Sequence, residues 1–423
     1  MPLLDQYANG VVTALGFFWN ALWAFVLGYA ISAAIQVFVP KKRLTHHMGN
    51  ADIKSVSLAG LFGAVSSSCS FAALAAARSL FQKGAHFIAT VAFMFASTNL
   101  VIELGVLIFL FLGWEYLAAE LIGGILMIAI SAILIRLTYP DTLIKAAKKH
   151  ADDENSQDEE DFDWKKRIKS LDGWQQVGTR FAMEWQMVWR EILIGFTVAG
   201  FIAVFVPDQV WQTLFMADAA SGNQADMPFL IVLENALIAP FVAAATFIGS
   251  MGNIPLATVL SAGGVSFAGI MGFIYSDLMV PPLVKVNARY YGWKAALYIA
   301  AIMYASIVVT ALTLHYAYAI IGIIPEGSRD IADVSAFAIN YTFFLNIAAF
   351  ALTGLLVWLR YRDQHTAPDT SEHHHDAHGH HQHTGHQHHD HGSSSLWSFK
   401  NVLMMIVVIA LAGGLVIKVA SAI

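Results

Sequence analysis

The stretch that decides the fold runs from Lys54 to Asn99 and reads KSVSLAGLFGAVSSSCSFAALAAARSLFQKGAHFIATVAFMFASTN. Five small hydroxyl and thiol side chains interrupt its apolar first part, and these are Ser66, Ser67, Ser68, Cys69 and Ser70. So many contiguous polar groups would weaken an ordinary membrane-spanning helix. They are typical of a break in a helix, where backbone and side chains face a cavity within a membrane protein.

The composition of the whole chain places it in a lipid bilayer. Hydrophobic residues make up 57% of the 423 residues, charged residues make up 13%, and the mean hydropathy is +0.58. Soluble domains usually carry about 25% charged residues, so we predict a multi-pass membrane protein. The net charge of −6 is spread over loops, and no basic stripe with interleaved aromatic residues indicates a nucleic-acid partner.

A second copy of the interrupted arrangement lies 180 residues further along the chain. At this offset Gly84 aligns with Gly264 and Ser97 aligns with Asp277. We call residues 66–70 the first break and residues 246–250, which align with them, the second break. Interrupted hydrophobic segments at matching places in two halves are typical of transporters built from inverted repeats, with the substrate bound at the breaks near the bilayer midplane.

We therefore predict an all-α polytopic membrane protein with two inverted repeats, each made of three transmembrane helices and a broken re-entrant hairpin, followed by two extra helices. This gives about eight spans plus two hairpins, or ten spans if the hairpins cross the membrane. The runs 86–112 and 265–284 are each predicted as one span. The predicted segments are the first membrane repeat 1–138, a charged loop 139–188, the second repeat 189–322, an additional transmembrane helix 323–363, a His-rich loop 364–396 and a C-terminal transmembrane helix 397–423.

Charge predicts which loops are cytoplasmic. Basic clusters tend to stay on the cytoplasmic side of the membrane. If residues 54–83 enter and return as a hairpin, the basic residues 41–43 and those of loop 139–188 lie on that side together. The same count places the His-rich loop in the cytoplasm. The sequence does not indicate an oligomeric state.

Residues 373–391 of the His-rich loop contain eleven of the seventeen histidines in the chain. They are His373, His374, His375, His378, His380, His381, His383, His386, His388, His389 and His391. Imidazole nitrogens are good ligands for Zn and Cu, so either metal can bind here, and no tightly bound cofactor is expected. A low-complexity tract of this kind suits a weak metal collector better than a transport site, and a solvated linker without a role is the alternative.

Several polar residues in apolar surroundings are candidates for a substrate pathway. Asp277 is an intramembrane carboxylate, which predicts a proton carrier or a cation ligand, and a neutral hydrogen-bonded structural aspartate is the alternative. Glu103 is a second candidate for proton coupling. The remaining candidates are the side chains of the first break, Ser97, Thr98, Asn99, Asn253 and the pair Glu234–Asn235, the last of which solvation at the interface explains equally well.

The first break offers a specific chemistry. The sulfur of Cys69 suits Cu(I) or another soft ion, whereas the neighbouring hydroxyls suit a hydrated or oxyanionic species. Close packing of helices is the alternative explanation, because small residues allow membrane helices to approach.

These residues also resemble a known family. The segment Cys69-Ser70 with the small-residue helix after it, Arg78, and the run from Phe93 to Asn99, paired with Pro255 to Asp277, resemble the predicted permease family that includes organoarsenical efflux permeases. Members with a His-rich cytoplasmic loop are similar to proteins regarded as copper or zinc efflux transporters. The resemblance implies a multi-pass exporter of metal or metalloid species in a bacterial inner membrane. The family often has a proline before the cysteine and a second cysteine beside it, and this chain has serines or apolar residues there.

The favoured function is a membrane permease for secondary, proton-coupled efflux, because no G-x-x-x-x-G-K-[ST] nucleotide-binding motif occurs. A transporter of a small sulfur-containing or oxyanionic solute is one alternative. An intramembrane enzyme with Cys69 or a serine as nucleophile is the other. No histidine lies in either break to act as a base and no H-E-x-x-H motif occurs, so we do not expect an enzyme.

Overall fold

The fold was analysed in a computed structural model, which describes residues 2–38, 48–66, 70–138, 140–152, 164–216, 224–246, 249–325, 331–366 and 399–422. Ser67, Ser68, Cys69 and the histidine tract 373–391 lie outside these residues. The described α-helices are α1 Pro2–Phe38, α2 Ile53–Ser66, α3 Ser70–Gln82, α4 Phe87–Asn99, α5 Ile102–Phe111, α6 Trp114–Thr138, α7 Asp141–Asp152, α8 Trp164–Lys169, α9 Leu171–Phe205, α10 Asp208–Leu214, α11 Phe229–Thr246, α12 Ser250–Ala262, α13 Phe267–Ile274, α14 Pro281–Tyr291, α15 Trp293–Ile321, α16 Ile331–Val334, α17 Tyr341–Thr366 and α18 Phe399–Ala422. Two short 3₁₀ turns cover Gln224–Asp226 and Asp277–Met279.

Six of the described helices are long and apolar enough to cross a membrane, and these are α1, α6, α9, α11, α15 and α17. The bent pair α4 and α5 adds a seventh if it counts as one span, and its two helices meet at 42°. The prediction of an all-α polytopic membrane protein is confirmed. The inverted orientation of the two repeats and the sidedness of the loops remain predictions.

Two runs that the sequence predicts as continuous spans are broken. Residues 86–112 form α4 and α5, with extended backbone at Val101 between them. Residues 265–284 do not form one span, because α13 ends at Ile274 and α14 begins only at Pro281. The proline pair at positions 281 and 282 explains the second interruption, since proline has no N–H and disfavours helical backbone in the residue before it. The interruption after α4 places residues 97–99 beside non-helical backbone. The interruption after α13 places Asp277 in a short 3₁₀ turn.

The segment 139–188 contains more helix than a polar loop would. It includes α7, α8 and the beginning of α9, which starts at Leu171 instead of near residue 189. Ser170 caps α9, because its hydroxyl accepts a hydrogen bond from the backbone N–H of Gly173 at 3.1 Å. Such a cap satisfies a backbone donor that the helix cannot pair internally. The helix therefore begins well before its apolar part.

The 180-residue offset seen in the sequence recurs in the backbone. Helices α3 and α12 begin at Ser70 and Ser250 and are each 13 residues long. The turns that follow contain Gly84 with φ 95° and Gly264 with φ 88°. Equivalent hydrogen bonds close these turns, with N···O distances of 3.0 Å for Ala85 to Leu80 and 3.2 Å for Val265 to Leu260. The two segments are therefore built alike.

Packing brings the two similar segments into one core. Helix α2 packs closely against α4, and α11 packs in the same way against α13. The long helices α1 and α9 lie side by side, and α9 also contacts α12. Buried side chains from both halves form one continuous apolar cluster. This arrangement buries Ser66, the first residue of the first break.

Candidate functional site

The two breaks meet at one carboxyl group. Asp277 is 0% exposed and lies in the 3₁₀ turn after α13. The hydroxyl of Ser70 donates a hydrogen bond to Oδ2 of Asp277, and the backbone N–H of Ser250 donates one to Oδ1 at an N···O distance of 2.9 Å. Because Ser70 begins α3 and Ser250 begins α12, the amino-terminal ends of two half-helices face the same side chain. Helix amino termini attract negative charge.

Each helix that leads into a break ends with the same side-chain contact. Ser66 donates its hydroxyl hydrogen to the carbonyl oxygen of Gly63 at 3.0 Å, and Thr246 donates to that of Ala243 at 2.7 Å. Thr246 also makes a hydrogen bond of 3.2 Å to the side-chain oxygen of Asn253. This last contact links the two sides of the second break. Asn253, a candidate from the sequence, therefore holds the ends of α11 and α12 together.

The first break depends on close contact between α2 and α4. A Cβ atom added to Gly63 would lie 2.6 Å from the carbonyl oxygen of Phe93 and 2.8 Å from Cβ of Ala96. Real side chains do not tolerate these distances, so glycine allows the two helices to touch. Gly63, three residues before the first break, therefore serves the packing of α2 against α4.

The candidates at the end of α4 bond to their own helix. Ser97 donates to the carbonyl oxygen of Met94 at 3.1 Å, and Thr98 donates to the same oxygen at 3.2 Å. The amide of Asn99 donates to Phe95, whereas its side-chain oxygen is buried without a hydrogen-bond partner among the described residues. These three side chains lie in the interior next to the bend between α4 and α5, and their hydrogen bonds run within α4 instead of reaching Asp277.

Glu103 belongs to a different cluster of polar groups. It lies in the first turn of α5, is buried, and packs over Gly28 of α1, where an added Cβ atom would overlap its side chain. It interacts electrostatically with Glu184 of α9. The hydroxyl of Ser32 donates to Glu184 at 3.2 Å, and the amide of Gln36 donates to the same oxygen. Gly28, Ser32 and Gln36 recur every fourth residue, so both acids lie along one face of α1.

Sequence reasoning missed two acids of α9, the buried Glu184 and the partly exposed Glu191. Glu184 lies in the segment predicted to be a polar loop. Glu191 lies two helical turns further along α9, where a carboxylate oxygen would be 3.2 Å from a Cβ atom added to Gly249 of the second break. Glu191 also interacts electrostatically with Asp277. The spacing of seven residues between the two acids, which places both on one face of a helix, was the available signal.

Asn235, at the predicted outer end of the second hairpin, has a structural role. It is buried, its amide donates to the carbonyl oxygen of Phe215 at 2.6 Å, and its side-chain oxygen accepts from the backbone N–H of Ser266 at 2.9 Å. It therefore ties α11 to the start of α13. Glu234 beside it is partly exposed and makes a hydrogen bond to Asn235 at 2.8 Å.

The predicted residues do not form one site, since Ser97, Thr98 and Asn99 bond within α4. The structure joins Ser70 to Asp277, and the segment from Ser250 to Asn253 lies beside them. Glu103 lies with Glu184 in the other cluster. Ser67, Ser68, Cys69 and the eleven histidines of residues 373–391 lie outside the described residues. Within the described ranges, no group of three or more His, Cys, Asp and Glu side chains is arranged to hold a metal ion.

The chemistry of the site is that of a buried acid with two donors. The hydroxyl and the backbone N–H stabilise a negative charge on Asp277. A cation or a proton arriving at this carboxyl group would neutralise that charge and weaken both contacts. The site can therefore bind one positive species in place of another. When Asp277 is neutral, the Ser70 hydroxyl and the Ser250 backbone N–H can bind an anion instead.

Comparison with known proteins gives two matches. The model of a family described as "Predicted permease" matches residues 8–316. The chain is also 36% identical over 322 residues to "Putative permease Rv2963" of Mycobacterium tuberculosis, an alignment that covers 73% of this chain and 77% of that protein. No solved structure matches the chain.

Proposed function

Because the chain belongs to the predicted permease family, we propose that it is a secondary permease that exports a metal or metalloid species, such as Cu, Zn or an organoarsenical, in exchange for protons. The proposed location is a bacterial inner membrane, with loop 139–188 and the His-rich loop in the cytoplasm. The observation that carries the proposal is the meeting of the two breaks at Asp277. Membership of a permease family favours transport over catalysis.

The position of Asp277 suits an exchange mechanism. Its carboxyl group is fully buried and is held by one donor from each half of the chain. Transporters built from repeats bind solutes where the helices of the two halves are interrupted. When a proton binds to Asp277, the donors from Ser70 and Ser250 lose their anionic partner. The two halves are then free to separate, and release of the proton brings them together again.

The first break supplies a ligand suited to the proposed substrates. Cys69 directly precedes Ser70, the residue that contacts Asp277. A thiolate binds Cu(I), Zn and trivalent arsenic more strongly than hydroxyl oxygens do. Ser66, Ser67 and Ser68 are proposed to contribute further polar groups to the pathway. The pair Glu103 and Glu184 is proposed as a second buried proton-binding site.

An anionic or sulfur-containing solute is the second candidate. The observation that favours it is the pair of half-helix amino termini at Asp277, because such ends attract negative charge. In this mechanism a protonated Asp277 would release the two donors to the anion. The direction of proton movement distinguishes the candidates, since an anion would travel with the proton and a cation would travel against it.

The His-rich loop is proposed to collect metal. Loose histidine clusters near the cytoplasmic mouth raise the local metal concentration without forming the transport site. Removing residues 373–391 should lower the initial export rate at low Zn or Cu and leave it unchanged at high metal. An equal rate at every metal concentration would remove this role.

The experiment uses the purified full chain in proteoliposomes with an imposed pH gradient. The probes are Zn²⁺, Cu⁺, phenylarsine oxide, and thiosulfate as an anion, measured by elemental analysis while a trapped dye reports proton movement. We expect uphill accumulation of a metal or arsenical probe with loss of the pH gradient, and no accumulation in Asp277→Asn. Ser306→Ala is the control, because this buried hydroxyl bonds only to the carbonyl of Ile302 in its own helix at 2.7 Å. Accumulation without proton movement, or full accumulation in Asp277→Asn, would contradict the proposal.

A further inference from the structure

A buried carboxyl group without a partner lies inside one of the apolar spans. Glu120 is in α6, which is among the helices long enough to cross a membrane, and its side chain is 1% exposed. Neither of its two carboxyl oxygens has a hydrogen-bond partner among the described residues. Asp277 and Glu184 differ in this respect, because each accepts hydrogen bonds from two donors. Of these three acids, Glu120 therefore has the least hydrogen-bond stabilisation of its ionised form.

A polar neighbour of Glu120 belongs to the turn that carries Asp277. The hydroxyl of Tyr275 donates to the carbonyl oxygen of Ala119 at 2.8 Å and interacts electrostatically with Glu120. Gly123, one turn further along α6, makes room for this ring, since an added Cβ atom would overlap the Tyr275 hydroxyl. Tyr275 precedes Asp277 by two residues, so a single short turn of backbone connects the environments of the two acids.

The other titratable groups nearby do not neutralise Glu120. Helix α6 packs against α4, α5 and α15 and also contacts α2 and α13. Besides Asp277 and the Tyr116 of α6 itself, the buried titratable side chains on these elements and on the turn after α13 are Glu103, Tyr275, His315 and Tyr318. Tyr318 donates its hydroxyl hydrogen to the carbonyl oxygen of Glu115 at 3.3 Å, and both nitrogens of His315 are buried without hydrogen-bond partners among the described residues. None of these four side chains donates a hydrogen bond to Glu120.

An ionised carboxylate in such a place would be very costly, whereas the neutral acid is tolerated. Packing alone gives no reason for an acid here, because an apolar side chain of similar size would fill the space without the penalty. Acids within membrane spans usually bind or carry protons. Proton binding therefore explains an acid at position 120 better than packing within the apolar surroundings of α6 does.

We propose that Glu120 binds a proton inside α6 and forms a further proton site beside Asp277, with Tyr275 as the positioning residue between them. This inference rests on the proposed proton-coupled function. The proton stays on Glu120 while Asp277 is ionised. When Asp277 exchanges its charge, the turn 275–277 moves and the surroundings of Tyr275 change. This change allows the proton on Glu120 to leave.

The test measures the protonated acid directly and does not depend on knowing the substrate. Infrared spectra of the purified full chain near neutral pH should contain a carbonyl stretching band of a neutral carboxylic acid that disappears in Glu120→Gln. Ser131→Ala is the matched control, because Ser131 is also buried in α6 and donates only to Ile128 of the same helix at 2.8 Å. Tyr275→Phe should keep the band but move its frequency. Identical spectra for wild type and Glu120→Gln would overturn the proton site, and an unmoved band in Tyr275→Phe would overturn the role of Tyr275.

A transport measurement separates this proposal from the proposed function. With a probe that the wild type moves, Glu120→Gln should keep downhill flux and lose most of the accumulation driven by a pH gradient, whereas Glu120→Asp should retain part of it. Unchanged pH-driven accumulation in Glu120→Gln would contradict a role in coupling. If the wild type moves none of the probes, the proposed function fails while the infrared result still decides whether Glu120 holds a proton.

Discussion

The interrupted segment of the first half, formed by α2 and α3, and that of the second half, formed by α11 and α12, share a backbone plan but differ in chemistry. Helices α3 and α12 begin 180 residues apart, and the same side-chain contact precedes each break. At the matching position of the following helices, however, one half has Ser97 and the other has Asp277. Both halves therefore contain the same backbone geometry, whereas the carboxyl group that contacts both breaks comes from the second half alone.

The largest expected effect is on transport and comes from the matched pair Asp277 and Ser97. Asp277→Asn keeps the volume but removes the charge that receives two donors, so we expect uphill transport to fall on the order of 100-fold, as when a proton-transfer group is removed. Ser97→Ala should change transport by less than about twofold, because its hydroxyl bonds only within α4. Initial rates in proteoliposomes measure both. Equal losses in the two variants would mean that the halves contribute alike.

The second prediction concerns the matched pair Gly63 and Ala243, which differ by one methyl group. Gly63→Ala should destabilise the protein by about 1–3 kcal/mol, because the new Cβ atom meets Phe93 and Ala96 of α4. Ala243→Gly should cost only about 0.5–1 kcal/mol through loss of helix propensity. Thermal unfolding in detergent, followed by the loss of monodisperse protein, compares the two variants. If Ala243→Gly proved the more harmful, the tight contact would not be specific to the first half.

The smallest expected effect is the loss of stability when the glycine in the turn after α3 or after α12 is substituted, and it should be equal in both halves. Gly84 and Gly264 have φ values of 95° and 88°. Alanine disfavours this backbone region by about 1–2 kcal/mol, so Gly84→Ala and Gly264→Ala should destabilise by similar amounts. Gly84→Ala isolates the backbone effect, because no atom lies within 4 Å of the added Cβ. Unfolding midpoints that differ widely between the two variants would show that the turns are not equivalent.

Polar residues in apolar runs made the breaks and the repeat visible in the sequence. Asp277 and the serines of the first break could be identified because each contrasts with its neighbours. The donor from Ser250 could not, since it is a backbone N–H and any residue supplies one. The interruption at residues 275–280 was also missed, although the prolines at positions 281 and 282 indicated it.

The acids that sequence reasoning missed depend on packing between distant segments. Glu184 and Glu191 lie in a part of α9 that also carries Arg180 and Arg190, so the segment is typical of a solvated interface. The contact of α9 with α1 and α12 buries Glu184 and brings the partly exposed Glu191 beside the second break. Glu120 follows Trp114 and Glu115 at the start of a span, where an acid usually faces water. Long-range contacts, which local composition does not encode, decide their burial.

The meeting of both breaks at Asp277 is the central claim, and cross-linking tests it most directly. In a Cys69→Ala background, Ser70→Cys combined with Ser250→Cys should be joined within one chain by a short bifunctional methanethiosulfonate reagent, and mass spectrometry of the digested protein identifies the linked peptides. Ser70→Cys combined with Asp226→Cys is the control, because Asp226 is exposed and the length of α11 separates it from the second break, and this pair should react without forming a link. A link in the first pair alone is the predicted result. Labelling of both cysteines in the first pair without any link between them would contradict the claim that the two breaks converge on one carboxyl group.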